Sequence, residues 1–226
     1  MNQNKFIEEL KKINISINEL QLKQLERYYE LLVEYNKFMN LTGITIKEEV
    51  YLKHFYDSLT IAKVIDLNQY DTLCDVGTGA GFPGLVIKII YPNLKVTLLD
   101  SLNKRLNFLN IVIKELNLKD IETIHIRAEE YKKQFDIVVA RAVAPLNILL
   151  EYCIPITKVN GYFIAMKGKN EEANNALKEL NSEIIETNSF LLPIEQSNRT
   201  IIKIKKIKET NKKFPRKYSE IKKNPL

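Results

Sequence analysis

Four of the chain's seven glycines, Gly77, Gly79, Gly81 and Gly84, fall within eight positions of the run Asp75-Val-Gly-Thr-Gly-Ala-Gly-Phe-Pro-Gly84. Apolar residues of a buried strand precede them (Leu73, Val76), and an apolar segment of helix length begins at Leu85. A backbone this rich in glycine must turn tightly or pass close to something. Strand, glycine loop and helix in that order aim helix N–H groups at a nucleotide-like ligand. A dinucleotide fingerprint spaces its glycines G-x-G-x-x-G. This loop reads G-x-G-x-G, with Phe82 in the third-glycine position. Asp75 stands two residues before Gly77, and Asp100 closes the next apolar run, where a carboxylate can grip ribose hydroxyls. A tight turn alone would account for a lone pair of glycines, but not for strand, loop, helix, strand and terminal acid in succession.

Cations recur at the ends of later apolar runs. Arg127 follows Ile121–Ile126, Arg141 follows Phe135–Ala140, and Lys167 follows Met166. An arginine at such a place either meets a ligand or pairs internally with Asp75 or Glu129. His54 and Asp57, three residues apart on an expected helix, can orient each other, contact ligand, or serve only packing. Metal chemistry is not expected. There are two histidines and no C-x-x-C, and Cys74 and Cys153 lie on apolar segments as small core residues.

From Asp71 onward, strands and helices alternate. Strands are expected near 72–77, 95–100, 121–126, 135–141 and 160–167, and helices near 83–91, 102–117, 145–157 and 170–181. This rhythm predicts an α/β fold with a parallel sheet covered on both faces. Residues 183–192 and 200–207 read as a closing hairpin-like pair. The first seventy residues read as helical. Asn18 and Gln21 suit a capping box, an aromatic and aliphatic stripe runs from Leu22 to Met39, and a second helix is expected over 47–65. In open α/β sheets ligands bind beyond the carboxyl ends of the strands where strand order reverses, here between the first strand and the fourth.

The chain of 226 residues is 45% apolar and 27% charged, as in ordinary globular proteins. Its length suits one domain with an appendage. The expected division is a helical extension over 1–66, a main domain over 67–207 and a basic tail over 208–226. From Lys203 to Leu226 ten Lys/Arg face two Glu, a local +8 against a total of +6, which leaves −2 elsewhere. Such a tail suits a polyanion contact, phosphate above all, ahead of the alternative of a solvated end with no partner. No signal-peptide apolar region or spanning run is read, so the expectation is a cytoplasmic protein with no membrane partner.

The loop after Asp75 resembles the first motif of S-adenosylmethionine-dependent methyltransferases. A closer resemblance covers nearly the whole chain. Its segments are Asn36-Lys-Phe-Met-Asn-Leu-Thr42, Lys53-His-Phe-Tyr-Asp-Ser58, the glycine loop, Leu98-Leu-Asp-Ser101, Lys104-Arg-Leu-Asn-Phe-Leu109, Ala140-Arg-Ala-Val-Ala-Pro-Leu146, Met166-Lys-Gly168 and Phe214-Pro-Arg-Lys217. In this order they are similar to the ribosomal RNA small subunit methyltransferase G family, also called glucose-inhibited division protein B. The resemblance implies a Rossmann-like methyltransferase fold with a mixed, mostly parallel seven-stranded sheet. It implies methylation of the 7-nitrogen of a guanine in 16S ribosomal RNA, with S-adenosylmethionine as cofactor and the RNA or the small ribosomal subunit as partner. No metal is implied, and a monomer is expected. It further implies cofactor contacts at Gly77, Phe82, Ala128, Glu129 and Arg141, with Asp100 at the ribose. Asn36, His54, Arg127, Arg141 and Lys167 would shape the RNA-facing active site. Tyr218-Ser-Glu-Ile221 departs from the family's commoner Ala-Gly-Thr-Pro, and Lys53 replaces a frequent Arg.

That chemistry needs no general base, because the 7-nitrogen of guanine carries a free lone pair at neutral pH. Arg141 and Lys167 suit the guanine edge and a phosphate, in either assignment. Aromatic residues of the N-terminal helices can stack an extruded base or simply pack the core. A methyltransferase acting on protein or a small molecule, or a non-catalytic RNA-binding module on the same scaffold, would share parts of this pattern.

Overall fold

A computed structural model describes all residues, 1–226. The strands are β1 (Thr72–Val76), β2 (Lys95–Asp100), β3 (Ile121–His125), β4 (Phe135–Arg141), β5 (Thr157–Lys167), β6 (Ser182–Leu191) and β7 (Asn198–Lys206). They form one sheet in the order β3-β2-β1-β4-β5-β7-β6. β1 to β5 run parallel, and β7 is antiparallel to both β5 and β6. Strand order reverses between β1 and β4, as the alternating pattern predicts. The closing pair is a true hairpin whose second strand enters the sheet.

Each face of the sheet carries its own apolar core. On one face the helices Gly84–Ile90 and Asn103–Glu115 meet the N-terminal helices in a single cluster of 41 buried residues. Tyr28 lies at its centre, stacked on Phe55 and on Phe82 at 5.5 Å each. Tyr28 is therefore core, while Tyr29 and Tyr35 are half-buried and Phe38 is 62% exposed. The capping box of Asn18 and Gln21 is present. The Gln21 amide has a second task, donating at 3.0 Å to the carbonyls of Ile89 and Ile90. It thereby satisfies acceptors that the end of helix Gly84–Ile90 leaves open.

The expected helix over 47–65 is not one regular helix. Lys47–Glu49 is α-helical, Val50–Tyr56 is a π-helical stretch, Asp57–Leu59 is α-helical and Thr60–Lys63 is 3₁₀. The widened turns let the Asp57 N–H reach the Leu52 carbonyl five residues back. Within the stretch, the Lys53 carbonyl accepts from Arg141 at 3.1 Å. Apolar periodicity reports a buried face but not this extra residue per turn. π-Helical turns are frequent at functional sites.

The second core lies under helix Leu146–Cys153 and helix Asn174–Glu179. Cys74 and Cys153 are buried and unpaired, as small core residues. The C-terminal segment joins this core through Phe214 and Ile221 and ends in helix Tyr218–Lys223. Residues 208–226 are thus a folded strap and not a solvated end, while their reading as a polyanion contact stays an expectation. No helix is long and apolar enough to cross a membrane.

Candidate active site

The turn after β1 is held by two carboxylates. Asp75 is fully buried, and its Oδ2 accepts from the Thr78 hydroxyl at 2.7 Å and the Gly84 N–H at 2.8 Å, so it ties the two ends of the loop together. Burial pushes its pKa up to about 6, against the lowering effect of these two donors and of Arg141. Asp100 holds the loop's crest, accepting from the Gly79 N–H at 2.9 Å and from the Leu102 N–H at 2.8 Å. Gly81 has φ +101°, and a Cβ there would lie 2.5 Å from the Tyr28 hydroxyl and 2.9 Å from Leu109. Gly81→Ala adds backbone strain of roughly 1–3 kcal/mol to that clash. A fall in melting temperature of at least about 5 °C is expected by thermal unfolding.

Beyond this loop, at the carboxyl ends of β1 to β4, lies a cleft of about 440 Å³. Gly77, Asp100, Ala128 and Glu129 line it, as the sequence predicts for the cofactor side. Leu99, Ile126, Val143 and Ile148 give it apolar walls. Glu129 Oε1 is buried with no partner, an acceptor open to a donor from a ligand. Apolar walls for a purine and two carboxylates for hydroxyl or amino groups fit an adenosyl group. Arg127, which the resemblance groups with the RNA-facing residues, lines this cleft too. The C-terminal strap contributes Tyr218 and Lys222 to its lining, Tyr218 against Arg127.

A second hollow of about 530 Å³ opens on the other side of the β4 end, and Ala142 lines both. Lys53, His54, Asp57, Arg141, Lys167, Lys169, Glu171 and Arg199 surround it. Five cations face two carboxylates here. Asp57 is 5% exposed and bridges two arginines, pairing with Arg141 through Oδ2 and with Arg199 through Oδ1, both at 3.0 Å. The internal partner of Arg141 is therefore Asp57, not Asp75 or Glu129. Its two protein bonds both use Nη1, leaving Nη2 and Nε without protein acceptors. Lys167 Nζ donates to the Ala144 carbonyl at 2.8 Å and pairs with Glu171 at 3.0 Å.

His54 does not pair with Asp57. Its ring stacks on Phe82 at 4.4 Å, and Nε2 lies 2.8 Å from the Thr42 hydroxyl. Burial first, then the Arg141 charge, lower its pKa to about 4. The ring is neutral at physiological pH. Ring-proton NMR is expected to show it unprotonated down to pH 5. Since the unfolded chain takes up this proton first, His54 costs stability as pH falls from about 6.5 towards 4.

Two predicted site residues line neither hollow. The Phe82 ring is buried between Tyr28 and His54. Asn36 Oδ1 accepts from the Leu41 and Thr42 N–H groups at 2.7 and 2.9 Å. It shapes the turn that carries Thr42, and so acts on His54 from a distance. Sequence reasoning assigned no role to Lys169, Arg199, Tyr218 or Lys222. Arg199 was within reach: an antiparallel last strand begins at the rim where the parallel strands end, and Thr200 pairs with Lys167.

Comparison with known proteins agrees with this architecture. The family model for rRNA small subunit methyltransferase G matches residues 21–202. The Ribosomal RNA small subunit methyltransferase G of an Exiguobacterium species is 48% identical over 237 residues, covering 100% of both chains. The protein of that name from Bacillus subtilis is also 48% identical, covering 100% of this chain and 99% of its own. Among solved structures, the mitomycin 7-O-methyltransferase MmcR superposes with a TM-score of 0.58 at 14% identity, over 79% of this chain and 60% of its own. The StiE O-methyltransferase domain gives 0.57 at 10% identity, over 76% and 81%. These two likenesses concern the fold alone. The match of the family model and the full-length relatives decide the matter: the chain belongs to the rRNA small subunit methyltransferase G family.

Proposed function

We propose that this enzyme transfers the methyl group of S-adenosylmethionine to the 7-nitrogen of one guanine in 16S ribosomal RNA. The observation that carries this reading is the pair of hollows meeting at Ala142, one suited to an adenosyl group, the other lined by five cations. When bound, the cofactor supplies a methyl group on a positively charged sulfur. In this reading Asp100 and Glu129 hold its ribose and base, and the loop from Gly77 lets its backbone approach. Ala128 and Arg127 complete that side. The Arg141 main chain adjoins the cofactor at Ala142, while its guanidinium belongs to the RNA.

Arg141, held by Asp57, offers its free Nη2 and Nε to the guanine edge or a phosphate. Lys167, Lys53, Lys169 and Arg199 neutralise backbone charge. Neutral His54, steadied by Phe82 and by Thr42 on its Asn36-shaped turn, presents a hydrogen-bonding edge without adding charge. No proton must leave the nucleophile, so no group here need act as a base. Catalysis then rests on in-line placement, which can supply up to roughly 7–11 kcal/mol.

The division of labour follows. Residues 1–66 wall the RNA side, 67–207 form the catalytic body, and 208–226 close it. In this reading the enzyme works in the cytoplasm as a monomer on the small subunit or its RNA, and direct lone-pair attack calls for no metal. Nucleoside analysis of 16S RNA tests the assignment. Loss of 7-methylguanosine on deletion of the gene supports it, and an unchanged level refutes it.

A further inference from the structure

The lysine-rich C-terminus reads as an RNA arm in one dimension, yet its fold points elsewhere. Glu151, fully buried on helix Leu146–Cys153, accepts from the Arg216 backbone N–H at 2.9 Å and from its guanidinium at 2.8 and 2.6 Å. That bidentate bond occupies the arginine, and Phe214 and Ile221 are buried on either side of it in sequence. The anchor fixes the short helix Tyr218–Lys223, and its two residues one turn apart, Tyr218 and Lys222, face the adenosyl cleft.

Tyr218 is 39% exposed, an aromatic ring in the cleft wall with Lys222 Nζ 5.9 Å from its centre. The Arg127 guanidinium lies 4.3 Å from its ring centre and makes no ion pair of its own. Arg127 comes from the end of β3, beside Ala128 and Glu129, so the strap touches the half of the cleft suited to a base. An aromatic ring braced by a planar cation is suited to a purine face. The Arg216 guanidinium, taken up by Glu151, is not available to a phosphate.

We propose that the C-terminal strap is part of the cofactor site, with Tyr218, braced by Arg127, governing affinity for the adenosyl group. This rests on the reading of the cleft as the S-adenosylmethionine site. Binding then ties the strap down, and the strap's anchorage on Glu151 helps set the affinity.

The test uses the full chain and S-adenosylhomocysteine as probe, by calorimetry. Tyr218→Ala is expected to bind it roughly tenfold more weakly, in line with the loss of one base–aromatic contact, and Tyr218→Phe within twofold of the unaltered chain. The thermal unfolding of both variants without ligand should match that of the unaltered chain, since the ring fills no core space. In the unaltered chain, ligand should slow amide hydrogen exchange over residues 216–223. Equal affinity of Tyr218→Ala and the unaltered chain overturns the proposal, as does unaltered exchange in the strap. So does a Tyr218→Ala variant that loses affinity only for a 16S RNA fragment, which would make the strap an RNA arm after all. Failure of the unaltered chain to bind S-adenosylhomocysteine would instead overturn the reading of the cleft itself.

Discussion

Arg216→Ala is expected to destabilise the protein by about 3 kcal/mol, near the low end of the 3–5 kcal/mol for stranding a buried charge. The low end applies because the Arg216 side chain is 23% exposed, although Glu151 is fully buried. For a chain of this size the melting temperature should fall by roughly 6–12 °C. Arg216→Lys should recover only part of the loss, because an ammonium cannot reproduce the two parallel bonds. Glu151→Gln combined with Arg216→Ala should recover more, having no stranded carboxylate. A melting temperature within 2 °C of the unaltered chain, in the units used for such shifts, would mean the pair is dispensable.

Arg141→Ala is expected to lower the rate of methyl transfer by about 10²–10³, the usual cost of losing one placed electrostatic donor. Binding of S-adenosylhomocysteine should survive, because the guanidinium lines the cationic hollow and not the adenosyl cleft. Single-turnover rates on 16S RNA and calorimetry separate the two effects. A large loss of S-adenosylhomocysteine affinity would place the side chain, and not only the main chain, on the cofactor. Asp57→Asn should lower the rate less. The arginine remains, but it and Arg199 lose the carboxylate that fixes both.

Much of this was legible in the sequence, for identifiable reasons. The glycine loop and Asp100 were readable because their chemistry is local: strand end, turn and helix start are contiguous, and backbone geometry dictates glycine there. The alternation of strands predicted the switch point for the same reason. The cationic hollow was harder to see. Lys53, Arg141, Lys167 and Arg199 come from four separate segments, and only the antiparallel insertion of β7 beside β5 brings the last of them to the rim. Net charge concealed it as well, since the chain outside the C-terminus sums to a negative value. Phe82 stood in a cofactor motif but does not line the cleft, because ring packing against Tyr28 and His54 is not written in the loop's spacing. That the tail is folded was not legible, because its lysines outnumber the few residues, Phe214, Arg216 and Ile221, that decide its place.

The bond from Gln21 to the end of helix Gly84–Ile90 bears on how the molecule can be divided. Through that amide, and through the Tyr28 hydroxyl on the Ala80 carbonyl, the long first-half helix clamps the glycine turn from behind. A recombinant fragment starting at residue 67 would bare the greasy side of Leu85, Phe108 and Leu109 to water. Such a fragment should precipitate rather than act as a minimal transferase, so the leading helices are scaffolding that the catalytic turn cannot do without.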